Sequence, residues 1–279
     1  MTRRKTTSTA DIKETPAYQD ALEFVNRKLD KDSSKIMFPT LESAIKIHPV
    51  NATYLIDGFI PKESVGLMYG DDASFLAIVM AYSIGSGMAW NTFDRRIPEG
   101  NVIVMSTDTS YIMQAFAAEF ATGFTLADRQ KIQRSFKNIR IFDIRKHFGR
   151  FIMDPRNDAF QSALRFIMLE KINPSFIFVD GIESFADEAG ATRAARISCI
   201  EALRIISKTF DAAVVFTKKR LAAIEEDDLA LSDYSLLSDY TYHVSRKDGG
   251  ITATLCETTF LEQSGKIIVR HPAQAEAEA

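Results

Sequence analysis

Residues 65–90 read VGLMYGDDASFLAIVMAYSIGSGMAW, and the fold turns on how this stretch divides. The first five residues form a β-prone apolar run. A Gly-Asp-Asp corner follows, and then an apolar stretch of helical length over about 73–87. An apolar strand that turns at once into an apolar helix is the opening of a βα unit covered on both faces.

Downstream the same alternation continues. NVIVMS (101–106), IRIFDI (139–144), SFIFVD (175–180) and AAVVFT (212–217) read as strands, with helices expected at about 110–122, 157–172 and 193–208. YTYHVSRK, ITATLCET and KIIVRH then follow one another with short breaks and no helix between them, the pattern of an antiparallel extension. The sequence therefore predicts an α/β domain over 51–272, a mostly parallel sheet flanked by helices with a C-terminal antiparallel extension. Residues 1–15 are polar and lack periodic apolar positions, so a disordered tail is expected there. Within 16–50, Tyr18, Leu22, Val25 and Leu29 recur at helical spacing and predict a helical segment, and AQAEAEA (273–279) reads as a disordered end.

Composition narrows the function classes. With 279 residues, 46% of them hydrophobic and 25% charged, the chain can bury the core of one large domain. A formal net charge of -3 supplies no general attraction to nucleic acid and leaves open a local basic patch, such as Arg3, Arg4 and Lys5 in the tail. Cys199 and Cys256 are too few for a disulfide framework and lack metal-ligand spacing, which fits free thiols in a reducing compartment. His48, His147, His243 and His271 are scattered without ligand spacing. No apolar run approaches the ~20 residues that span a bilayer. The expectation is a soluble cytoplasmic protein with no membrane partner.

In order and spacing, the motifs over about residues 52–270 resemble RecA-like P-loop ATPases of the RepA plasmid-helicase type. Gly66 to Gly70 match on the strand side, Phe75 to Ala77 open the helix and Gly87 to Trp90 close it. The loop between departs from the family. Between Gly70 and Phe75 stand only Asp71, Asp72, Ala73 and Ser74, about three residues fewer than a phosphate-binding loop needs, and the Gly-Lys pair is missing. Glycines let successive N–H groups turn inward around a phosphate, and the lysine offsets its charge. Asp71 and Asp72 instead place carboxylates where the phosphates would lie, and each like-charge contact at ~4 Å costs about 4 kcal/mol at an effective dielectric of ~20. Ordinary ATP binding is expected to fail at Gly70, Asp71, Asp72 and Ser74. The plain expectation for Asp71 or Asp72 is a side-chain cap on the helix. Ser74 stands where the family has its Mg-binding Ser/Thr.

The resemblance also implies roles further along. Asp180, ending SFIFVD, takes the place of the carboxylate that faces the Mg-bound water, and Asp108 stands where the family carries a Glu that polarises the attacking water. These are the residual catalytic positions, with Asp180 also a metal position. Thr217 takes the place of the polar sensor, with Lys218 beside it, and Asp239 and Arg246 correspond to the Asp and the charged hairpin near the end of the pattern. Asp71, Asp72, Asp108 and Asp180 together are a possible Mg²⁺ or Mn²⁺ cluster. The segment from Lys218 to Leu237, read as a loop, offers Lys218, Lys219 and Arg220 for DNA, followed by Glu225, Glu226, Asp227 and Asp228, which would repel it.

Taken together, these residues imply a RecA-fold protein with a degenerate nucleotide site and no cofactor. Its expected role is a non-hydrolysing binding or assembly partner in DNA replication or recombination of a plasmid, phage or mobile element. It would act as a homo-oligomer, or as a hetero-oligomer with an intact RecA-like ATPase. The alternatives are an active RepA-like ATPase or helicase with an atypical loop, using ATP and Mg²⁺, and a metal-dependent phosphoester enzyme built on the Asp cluster.

Overall fold

Period-two alternation sorts the strand side chains onto two faces. Val102, Val104, Phe176, Phe178, Ala213 and Val215 join one buried cluster, while their chain neighbours Ile103, Met105, Ile177, Val179, Val214 and Phe216 join the other. In a computed structural model of the chain, the described residues are 53–87, 97–114, 133, 136–144, 146, 151–185, 192–218, 224–247, 250–259 and 266–270, all within one unit, Asn51–Ala279. The expected tail at 1–15, helical segment at 16–50 and disordered end at 273–279 lie outside them. So do Trp90, Lys219 and Arg220.

A two-stranded ribbon, β1 (Tyr54–Ile56) with β2 (Ile60–Pro61), precedes β3 (Val65–Tyr69) and α1 (Ala73–Ser86). Then come β4 (Asn101–Ser106), β5 (Ile139–Asp143), α2 (Asp158–Leu169), β6 (Pro174–Val179), α3 (Arg193–Phe210) and β7 (Ala213–Lys218). The described chain closes with α4 (Ile224–Leu237), β8 (Tyr240–Lys247), β9 (Gly250–Thr258) and β10 (Lys266–Arg270). Eight strands form one sheet in the order β10-β9-β8-β3-β7-β6-β4-β5. From β8 to β5 all neighbours pair parallel, while β9 pairs antiparallel with both β8 and β10. This is the expected α/β architecture, with the antiparallel extension starting at β9.

The two clusters show how the layers pack. Twelve of the fourteen residues of α1 are buried, and its apolar side chains share a cluster with the ribbon residues Leu55, Ile56, Phe59 and Ile60. Helices α2 and α3 cover the opposite face with Phe160, Ala163, Leu164 and Ile167 from one and Cys199, Ile200, Leu203 and Ile206 from the other. Each of these large side chains contributes about 1.5–3 kcal/mol on full burial, which fixes the register of the strands beneath.

One expectation needs correcting. The segment from Lys218 to Leu237 is not a loop throughout, because Ile224–Leu237 is helical. IEEDDLALSDYSLL contains no Gly or Pro, and its acidic residues fall in the first turn, where the helix dipole favours negative charge. Its far end is anchored. Tyr234 is buried with its ring 5.8 Å from Phe216, and Asp233 accepts two hydrogen bonds from Arg196, at 2.6 and 2.9 Å.

Candidate functional site

Parallel strands aim their carboxyl ends, and the loops that follow, at one edge of the sheet, which is where open α/β folds bind ligands. Here that edge holds a cavity of about 790 Å³, lined among others by Gly70, Asp71, Asp72, Ser74, Asp108 and Lys218. Most of the sequence-predicted positions meet at it.

The inner part is a network around Asp180, which β6 delivers to a position 1% exposed. Ser74 Oγ, in the first turn of α1, donates to Asp180 Oδ1 at 2.6 Å. Thr217 Oγ1 on β7 donates to the same oxygen at 3.2 Å and accepts from the Gly181 N–H at 3.0 Å. Ser106 Oγ at the end of β4 donates to Oδ2 at 3.3 Å and accepts from the Asp108 N–H at 3.0 Å. Three hydroxyls from three elements thus answer one buried carboxylate, the condition for keeping it out of water.

Asp108 is exposed and turned elsewhere. Its Oδ1 accepts from the Tyr111 N–H at 3.1 Å, so the carboxylate caps the helical turn that begins at 109. Lys218, the last residue of β7, is 7% exposed and lines the cavity.

The rim is built differently. Gly70 has φ +115°, and a Cβ there would run into the Val244 carbonyl oxygen of β8, so the shortened loop lies directly on that strand and only glycine fits. Asp72 takes the N-cap position of α1 without a side-chain cap hydrogen bond. By contrast, Asn157 caps α2 and Thr192 caps α3 through their side chains. The expected cap by Asp72 is therefore corrected, because its carboxylate is drawn to Arg246. The Nη2 of Arg246 donates to Oδ1 at 2.7 Å and its Nε to Oδ2 at 3.2 Å. The Asp72 hydrogen bond and charge push the guanidinium pKa up from its ordinary value.

No family model matches the chain, and no curated protein matches it. Solved structures do: the match to the ATPase domain of a replicative helicase covers 86% of this chain and 94% of that chain, with a TM-score of 0.53 and 12% sequence identity. The chain has the RecA-like ATPase fold. With 365 solved chains matching, the likeness is to a widely used backbone and carries no assignment of activity.

Within that fold, the expected metal cluster does not form. Among the described residues no group of three or more His, Cys, Asp or Glu side chains is placed to hold a metal ion. Asp72 turns to Arg246, Asp108 to the Tyr111 N–H and Asp180 to three hydroxyls. Asp239 is structural: its Oδ2 accepts from the Val65 N–H at 2.8 Å and its Oδ1 from Arg204 at 3.0 Å, tying the starts of β3 and β8 together. Helix α4 carries Glu225 to Asp228, while the DNA-contact positions Lys219 and Arg220 lie outside the described residues.

Sequence reasoning missed Tyr69 and His243, which face each other across the β3–β8 register with ring centroids 5.0 Å apart and line the same cavity. Burial, then a hydrogen bond at 3.6 Å with Cys256, pushes the Tyr69 hydroxyl up to about 12. The last residue of β3 was legible as a cavity residue from its position before the corner. Its partners on β8 and β9 were not.

No helix among the described residues is long and apolar enough to cross a membrane.

Proposed function

We propose that this chain is a RecA-fold protein whose nucleotide site is degenerate. In this reading it is a relative of the RepA plasmid-helicase type that acts as a non-hydrolysing binding or assembly partner in DNA replication or recombination of a plasmid, phage or mobile element. The observation that carries the reading is the Asp72–Arg246 pair at 2.7 Å, standing at the strand-to-helix corner where an intact loop would wrap a phosphate. A lysine and inward-turned glycines are absent from the corner, and a carboxylate is present. The replication or recombination setting comes from the resemblance, as does assembly with further copies or with an intact RecA-like ATPase.

The decisive test is calorimetric titration with ATP and a non-hydrolysable analogue, with and without Mg²⁺, paired with thermal melting. The expected result is no heat and no shift in melting at millimolar nucleotide. Mg-dependent binding in the micromolar range would overturn the reading.

A second reading has one observation in its favour. Ser74 and Asp180, the positions that the resemblance assigns to Mg²⁺, remain within 2.6 Å of each other. An ATPase with an atypical loop would use them, with a neighbouring subunit supplying the missing cation. ATP turnover that appears only above the concentration of self-assembly would select it.

A further inference from the structure

We propose that Asp72 is an autoinhibitory latch: its carboxylate occupies Arg246 as a built-in anion and closes a subsite for oxoanions that the cavity otherwise retains. The inference rests on the degenerate-site reading above and names what holds the site shut.

Four features carry it. A guanidinium presents its Nε and Nη2 donors to a carboxylate in the same planar fork that it presents to two phosphate oxygens, so Asp72 and a phosphate compete for one position on Arg246. The pair lies at the rim, with the Asp72 side chain 17% and the Arg246 side chain 59% exposed, so exchanging one anion for another disturbs no core. Behind it, a cavity of about 790 Å³ falls within the size range of small-molecule sites, and Lys218 lines it too. Finally, Asp71, Asp72 and Asp108 among the lining residues face the charges of Lys218 and Arg246, three negative against two positive, and neutralising Asp72 brings that formal -1 to zero.

The test compares wild type with Asp72→Ser, Asp72→Asn and the double variant Asp72→Ser/Arg246→Gln, using inorganic pyrophosphate as the probe in calorimetry at low salt. Ser and Asn are both good N-cap residues, so either keeps α1 started. The expected result is binding at least about tenfold tighter in both single variants than in wild type, the scale of one charge-assisted hydrogen bond. That binding should weaken with added salt and disappear in the double variant. Single variants that melt like wild type and bind pyrophosphate no better would overturn the latch, as would binding that survives Arg246→Gln. Failure of both single variants to fold would also overturn it, by showing the pair to be a structural tie. If wild type proves silent toward nucleotide and the variants are silent too, the latch falls and the degenerate-site reading stands. If wild type itself binds nucleotide tightly, that reading falls first.

Discussion

The floor of the cavity and its rim are made of the same residue types and have opposite histories. On the floor, Asp180 sits 1% exposed beneath Ser74, Thr217 and Ser106, in the arrangement the resemblance to RecA-like ATPases implies. At the rim, Gly70 to Asp72 have closed onto β8, and the Asp72 carboxylate binds Arg246 of that strand. The floor hangs from strand ends, whose positions are set by two hydrophobic clusters. The rim is a short loop, and loops tolerate deletion without loss of the sheet. A fold can therefore outlive its site.

The largest effect is expected from Gly70→Ala. A Cβ at φ +115° meets the Val244 carbonyl, so either the loop or β8 must move, at a cost of about 3 kcal/mol. For a domain of this size that lowers Tm by about 6–12 °C. A fall of less than about 2 °C would mean that the rim is not clamped to β8, and the contrast with the floor would dissolve.

Removing the floor carboxylate ranks next. Asp180→Ala leaves the hydroxyls of Ser74, Thr217 and Ser106 without their acceptor and should cost about 2 kcal/mol in urea unfolding. Asp180→Asn keeps one oxygen in place and should cost less than about 1 kcal/mol. If Asp180→Ala is instead more stable than wild type, the carboxylate is kept at a stability cost, the mark of a residue retained for function.

These two parts of the site were not equally legible. The strands at 65–69 and 101–106 follow directly from local apolar runs bounded by Gly, Pro and Asp, and the flanks of the corner fix where Asp180 and Ser74 must lie. The rim partner could not be read in the same way. Asp72 and Arg246 are 174 positions apart, and their meeting depends on β3 pairing with β8 in one particular register. Helix α4 was missed for a different reason: its acidic start looks like solvated loop until the Asp233–Arg196 tie and the burial of Tyr234 are known.

A smaller effect is expected from the rim pair itself. A double-mutant cycle of Asp72→Ser and Arg246→Gln should return a coupling of about 1 kcal/mol or less, because the guanidinium is more than half exposed and solvent screens it. A coupling above about 3 kcal/mol would place the pair with the floor as part of the fold.

The smallest effect comes from a second fork of the same chemistry, away from the cavity on the α2 side. Arg156 donates from Nε and Nη2 to the two oxygens of Asp154, at 3.0 and 2.8 Å, but these residues are two apart in sequence and bridge no distant elements. The Arg156 hydrogen bond holds the Asp154 carboxyl below its ordinary range. A depressed carboxyl contributes stability that is present above its unfolded pKa and is lost as pH falls through the lower folded value. Arg156→Gln should therefore raise the Asp154 titration toward the ordinary range in a carboxyl NMR experiment. Its slight destabilisation should be seen at neutral pH and vanish in acid. Pyrophosphate binding by the Asp72 variants should be untouched. A local fork adjusts one titration, whereas the rim fork joins the start of α1 to β8 across the mouth of a cavity. If Arg156→Gln altered pyrophosphate binding as much as Arg246→Gln does, the charge of the whole surface, and not the position of Arg246, would govern the site.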